Sequence, residues 1–161
     1  MSYGSVYVAR VAMGADPQQT LRALREAEAY DGPSLVIAYC HCIEHGIDMR
    51  TGLDQQARAV ASGYWPLVRY DPVLRNRGEN PFLLDSGRPR IPLSDYTRDQ
   101  RRFTTLARTD PAEAARLAAL AQHAVDLRWQ TYEEMATQPA HKFPADARPG
   151  AKGLSRSSAG G

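Results

Sequence analysis

Four side chains with the chemistry to hold a metal, or to pair a nucleophile with a base, fall within a single short stretch: Cys40, His41, Cys42 and His45. Both cysteines of the chain lie here. Zinc takes four nitrogen or sulfur donors in a tetrahedron. Cys-His-Cys in succession is too tight for three of them to converge, and no second cysteine pair completes the set. A thiolate nucleophile needs a neighbouring cation or base, a part open to His41 or His45, but no orienting acid or oxyanion glycines are recognisable. An iron-sulfur cluster takes four thiolates as a rule, so one cysteine can supply the fourth only where other polypeptide supplies three. Cys40 reads as a small buried hydrophobe at a strand end. Cys42, beyond the strand and on a loop, is the candidate metal ligand. Elsewhere there is no G-x-G-x-x-G and no Walker A sequence. Arg98, Arg101 and Arg102 read as a solvated helix face, and Trp65 and Trp129 as core or interface.

The element that must present the thiols is the apolar run Leu35 to Tyr39, opened by Gly32-Pro33. It is expected to be a strand buried on both faces of a parallel sheet, with the thiols at its carboxyl end, where ligands sit in open α/β sheets. Val6, Val8 and Val11 mark a preceding strand that ends at Met13-Gly14. Asp16 reads as an N-cap, Pro17 as the first helical residue and Gln19 as the reaching partner of a capping box. The helix should run to about Tyr30 on an apolar stripe of Leu21, Leu24, Ala27 and Tyr30, and a right-handed βαβ connection follows.

After the thiols, a short helix is expected over Leu53 to Ser62, closed by Gly63. A third strand among Tyr64 to Tyr70 should lie at an edge or start after Pro66, which lacks a ladder donor. Asp71 to Pro92 has no period and reads as a long covering loop. One helix is expected from about Ser94 to Arg108. Asp110-Pro111-Ala112-Glu113 then opens a final helix to about Ala136, whose apolar positions, among them Leu117, Leu120, Leu127 and Met135, are spread too widely for one neighbour. The sequence thus divides into a domain over residues 1–137 and a Pro-, Gly-, Ser- and Arg-rich disordered tail over residues 138–161. Three doubly buried strands make a poor sheet alone, which points to part of a larger domain or an obligate assembly.

The chain has 161 residues, 43% hydrophobic and 24% charged, within the soluble globular range and about one domain's worth. A net charge of +2 gives no electrostatic case for nucleic acid or an anionic membrane surface. No apolar run approaches the roughly 20 residues that span a bilayer. The first residues lack the pattern of a secretion signal, so the cytoplasm is the expected compartment.

Several blocks of residues carry a family likeness: Val6-Tyr7-Val8-Ala9, Met13-Gly14-Ala15, Gln19, Glu26-Ala27-Glu28, Gly32-Pro33-Ser34-Leu35, Ile37-Ala38-Tyr39, Cys42-Ile43, His45-Gly46, Gly63-Tyr64-Trp65-Pro66-Leu67 and Asn80-Pro81-Phe82-Leu83-Leu84-Asp85-Ser86. Together they resemble the C-terminal part of pyruvate:ferredoxin (flavodoxin) oxidoreductase, from Tyr3 to about Met135. The resemblance implies an α/β fold that is an incomplete thiamine diphosphate-binding domain, a parallel sheet flanked by helices, with C-terminal helices and the disordered tail. It implies a homodimeric enzyme that converts pyruvate to acetyl-coenzyme A with thiamine diphosphate and magnesium, and passes electrons through [4Fe-4S] clusters to ferredoxin or flavodoxin. Cys42 matches a ligand of the cluster nearest the thiamine. Cys40 matches none, and Cys40-His41 departs from the family pattern. The Gly-Asp-Gly stretch and Asn-bearing loop that hold the cofactor are missing; Asn76 and Asn80, the only asparagines, lie in the late loop. The chain is therefore expected to be a fragment or split subunit, inactive alone, that needs the remainder of the oxidoreductase. The alternative is a non-catalytic scaffold that binds a protein partner.

Overall fold

The computed structural model describes residues 4–42, 44 and 46–139. Its centre is β1 (Tyr7–Val11), a β-branched run in which four of five residues are buried. The next element, α1 (Pro17–Ala29), begins where expected: Asp16 accepts a hydrogen bond from the Gln19 backbone N–H at 2.8 Å, and Pro17 fills the first turn. β2 (Ser34–Ala38) then pairs with β1 in parallel, placing Val8 beside Leu35 and Arg10 beside Ile37. A 3₁₀ turn (Met49–Thr51) leads into α2 (Gly52–Ala61), which closes at Gly63 with φ of +73°.

β3 (Val68–Tyr70) returns antiparallel to β1, and β4 (Phe82–Leu84) antiparallel to β3, so the order is β2-β1-β3-β4. Between them lies α3 (Pro72–Asn76), capped by Asp71. Three helices follow: the short α4 (Leu93–Thr97) and α5 (Arg101–Thr109) and the long α6 (Pro111–Thr137). Asp110 caps α6 by accepting from the Glu113 N–H at 3.0 Å, as its sequence signal implies. The helix packs on α4, α5 and β4, the several neighbours its broad apolar surface required.

Two layers cover the sheet. On one face Tyr7, Ala9 and Val11 meet Ala23 of α1, with Ala27, Tyr30 and Val36 around them. On the other, Val8, Val68, Tyr70 and Phe82 pack beneath Tyr132, Met135 and Ala136 of α6. A third cluster joins Ala59 of α2 to Leu93, Tyr96 and Val125, with Tyr39, Tyr64 and Trp65 at its margin.

Five expectations are corrected. The α/β class stands, but the sheet is mixed rather than parallel, because β3 runs antiparallel to β1 and β4 antiparallel to β3. The stretch taken for a loop contains β4, which places β3 inside the sheet; β3 itself starts after Pro66, one of its two expected placements. The helix expected from Ser94 to Arg108 breaks into α4 and α5 around Arg98–Gln100. Leu21 and Leu24 are exposed, because α1 turns Gln19, Thr20, Ala23 and the half-buried Glu26 to the sheet instead. The fifth concerns β2: it is an outer strand, with Leu35 51% and Ile37 38% exposed, not a strand buried on both faces. Of the expected tail, residues 140–161 lie outside the described residues.

Candidate functional site

β1 and β2 run in parallel, so their carboxyl ends share one end of the sheet, and the thiol-bearing loop leaves from there. The Tyr39 N–H still bonds to the Val11 carbonyl at 2.9 Å, and then the chain departs. Cys40 and Cys42 are free and exposed. For Cys40 this overturns the buried reading: β2 is the outermost strand, so the residues that continue it run along the open side. Its Sγ–H points to the His41 carbonyl at 3.4 Å. Cys42, the candidate ligand, presents its thiol to solvent.

His41 turns away from solvent. Both ring nitrogens are buried without a hydrogen-bond partner, and the ring lies against Gly52 at the start of α2. A Cβ at position 52 would sit 2.5 Å from His41 Cε1, so any other residue there would push the imidazole aside. Neither nitrogen bonds to a thiol, so the thiol-imidazole pair needed for a nucleophile is not made with His41. His45, the other candidate base, lies outside the described residues. Among the described residues no three His, Cys, Asp or Glu side chains come together to hold a metal. What the loop offers is two accessible thiols, Cys40 and Cys42, fewer than the four thiolates an iron-sulfur cluster takes as a rule.

Beside the thiols is an open cleft of about 370 Å³ lined by Arg10, Tyr39, Cys40, Tyr64, Trp65 and Arg128. Arg10 stands on the α6 side of β1, its guanidinium 4.0 Å above the Trp65 ring and its Nη1 donating to Tyr132 Oη at 3.1 Å. Burial lowers its pKa from the ordinary arginine value. Trp65 is fixed by its indole N–H, which donates to the Val11 carbonyl at 3.1 Å. Arg128 of α6 donates to the carbonyls of Gly63 and Tyr64, closing the end of α2. Tyr39 shares a hydrogen bond with Tyr96, which stacks on Tyr64 at 4.6 Å between centroids. Burial, and then that bond, raise the Tyr39 pKa. The carboxyl end of the sheet is thus an aromatic platform held by two arginines, from which the thiol loop projects.

A second polar constellation lies under α1, well inside the sheet. Arg69 of β3, only 7% exposed, donates to both Glu26 oxygens at 2.6 and 2.7 Å and to both Asp85 oxygens at 2.8 Å. Tyr7 Oη donates to Glu26 at 2.8 Å, and Gln19 Nε2 to Asp85 at 2.9 Å. The Gln19 side chain is therefore drawn into the sheet, and the reaching arm of the expected capping box is not formed. Paired carboxylates raise the Arg69 pKa above its ordinary value.

Sequence reasoning missed Arg10, Arg69, Tyr96 and Arg128. The signal for the first two was there: each interrupts a strand of apolar residues, and period-two alternation assigns it to a definite face. Asn80, considered in the search for a cofactor loop, instead donates to the carbonyls of Met135 and Ala136 at the end of α6.

No family model matches the chain. The curated relatives are informative. The chain is 49% identical over 138 residues to the pyruvate-flavodoxin oxidoreductase of Nostoc sp., covering 86% of this chain and 12% of that protein. It is 47% identical over 136 residues to the pyruvate:ferredoxin oxidoreductase of Moorella thermoacetica, covering 84% and 12%. It is 42% identical over 147 residues to the mitochondrial NADP(+) pyruvate dehydrogenase of Euglena gracilis, covering 90% and 8%. The chain spans about a tenth of the length of these relatives. Along most of its sequence it is therefore kin to one segment of the pyruvate:flavodoxin and pyruvate:ferredoxin oxidoreductases.

Proposed function

We propose that this chain is the C-terminal part of the thiamine diphosphate-binding domain of a pyruvate:ferredoxin or flavodoxin oxidoreductase, acting as a fragment or split subunit in the cytoplasm. The whole homodimeric enzyme would oxidatively decarboxylate pyruvate to acetyl-coenzyme A, with thiamine diphosphate and magnesium held by the remaining polypeptide. The observation that carries this reading is a near-half identity to such enzymes over most of the chain, combined with free, exposed thiols, Cys42 among them, at the carboxyl end of a parallel strand pair.

In this reading Cys42 supplies one of the four thiolates of a [4Fe-4S] cluster. When bound, the cluster takes up and passes on one electron at a time to ferredoxin or flavodoxin. The chain's own part is positional. The Tyr39–Tyr96 and Trp65–Val11 bonds fix where the loop leaves the sheet, and the His41 ring seated on Gly52 anchors the residue next to Cys42. Backbone N–H groups that bond to a cluster's sulfur atoms would tune its potential.

The test assembles the chain with the remaining polypeptide of an oxidoreductase and compares Cys42→Ser with Cys40→Ser. Loss of one cluster's iron and of its electron paramagnetic resonance signal in Cys42→Ser alone is expected. Equal iron and equal spectra in both variants would overturn Cys42 as a ligand and favour the scaffold alternative. The isolated chain, given pyruvate, coenzyme A and thiamine diphosphate anaerobically, should show no turnover; measurable acetyl-coenzyme A would refute the fragment reading.

A further inference from the structure

The outer strand β2 is the part of the sheet left unfinished. Its sequence, Ser-Leu-Val-Ile-Ala, has no charge, proline or glycine, the devices with which natural edge strands discourage further pairing. Its backbone can be assigned by side. Pro33 accepts from the Tyr7 N–H at 3.1 Å and Tyr39 donates to Val11 at 2.9 Å, so the odd-numbered residues face β1. Alternation then turns the N–H and C=O groups of Val36 and Ala38 to the open edge.

The same strand is bare on one face. The register puts Leu35 beside Val8 and Ile37 beside Arg10, on the side that α6 covers. Tyr132, Met135 and Ala136 of α6 shelter Val8, Val68, Tyr70 and Phe82, but the helix does not reach β2, and Leu35 and Ile37 stay exposed. A five-residue apolar strand with an open ladder and an uncovered face is a template for another strand and for an apolar element packed beside α6.

We infer that the open edge of β2, with the exposed side chains of Leu35 and Ile37, is where the remainder of the oxidoreductase polypeptide joins this chain, by adding a strand to the sheet. The inference rests on the fragment reading above. The occupant follows from what lies outside the structure: about nine-tenths of the length of the matched relatives. It also follows from the continuity of the sheet, whose parallel pair β1–β2 has the composition of interior strands and only one of the two is interior. A second copy is a poorer occupant. The edge is about 17 Å long, and alone it offers far less than the roughly 800 Å² per partner of a stable interface.

The test uses as probe the Nostoc pyruvate-flavodoxin oxidoreductase polypeptide from which the segment matching this chain has been removed. The unaltered chain should bind it, and the Val36 and Ala38 amides should become protected from hydrogen exchange. Val36→Pro removes one edge donor without touching the β1 ladder, and Leu35→Glu places a charge on the bare face; each should weaken binding at least tenfold. Leu35→Glu keeps the test intact should Val36→Pro not fold. The control Glu79→Ala, next to β4 at the far side of the sheet, should bind like the unaltered chain. Binding that neither variant weakens, without protection of the two amides, overturns the docking edge and leaves the fragment reading standing. Failure of the unaltered chain to bind at all removes both. Self-association of the chain that Val36→Pro abolishes also overturns the inference, by making the occupant a second copy.

Discussion

β2 and β3 flank the same central strand and have opposite fates. β2 is built from apolar residues and is largely exposed; β3 carries an arginine at its middle and is buried at every position. Hydropathy alone predicts the reverse. The difference is what lies beyond each strand. β3 has β4 along its outer edge, α6 over one face, and on the other α1, whose Glu26, with Asp85 just after β4, gives Arg69 two carboxylate partners. β2 has β1 on one side and an open edge on the other. A buried charge with two bidentate partners is a finished arrangement; an exposed run of Leu, Val and Ile is not.

The largest effect should come from breaking the finished side. Arg69→Met leaves Glu26 and Asp85 facing each other without their shared cation, and should cost about 3–5 kcal/mol in urea unfolding. Adding Glu26→Gln and Asp85→Asn to that variant should recover much of the loss, since the penalty lies mainly in the uncompensated charge. A single Arg69→Met that unfolds at the same urea concentration as the parent would show that the network is not what holds α1 to the sheet.

Alkali should act next, and on both sides of the comparison. Tyr7, on the Arg69 side, is shifted up by burial and by its bond to Glu26; Tyr39, at the thiol end, is shifted up by burial and by its bond to Tyr96. A phenol with a raised folded-state pKa keeps its proton longer in the folded chain than in the unfolded one. Its contribution is therefore fully present below the unfolded value of about 10 and is lost as pH rises above it. Urea midpoints should be level around neutral pH and fall above about pH 10, with a shallower fall in Tyr39→Phe. A midpoint that rises with pH in that range would contradict the sign.

How much of this was legible depended on length and on neighbours. Asp16-Pro17 and Asp110-Pro111 announced α1 and α6, because a cap and a proline preceded enough residues to show a period. Asp71-Pro72 gives the same signal and was passed over: α3 has five residues, and β4 three, too few for any period to emerge. The identity of β2 as a strand was legible in its composition, whereas its burial was not, because burial depends on what packs against it. The leucines of α1 misled for a related reason. An amphipathic reading takes the apolar stripe as the inner face, but α1 meets the sheet at Arg69 and turns polar residues inward. At the site, the place of Cys42 after the strand followed from sequence. The seat of His41 on Gly52 did not, since it depends on a tertiary approach to the start of α2.

Smaller effects should separate the two helix caps. Asp110→Ala removes the acceptor for the Glu113 N–H and Asp16→Ala the acceptor for the Gln19 N–H, each costing about 1 kcal/mol. Asp16 is the more informative, because α1 carries both Gln19 and Glu26 to the Arg69 network. If the network holds the helix independently of its first turn, Asp16→Ala and Arg69→Met should add within about 0.5 kcal/mol. A larger coupling would show that cap and network act as one unit.

The smallest effect should fall on β2. Leu35→Ser in the isolated chain removes a side chain that is already half in water, so little transfer free energy is at stake, and the Leu35 backbone bonds to β1 are untouched. Urea unfolding should shift by no more than about 0.5 kcal/mol. For a leucine within an apolar strand next to the centre of a sheet, so small a cost has one physical source: the side chain has no packing partner to lose. A loss near the 2–5 kcal/mol typical of a buried leucine would mean that β2 is covered in solution by the chain itself, and the contrast with β3 would disappear.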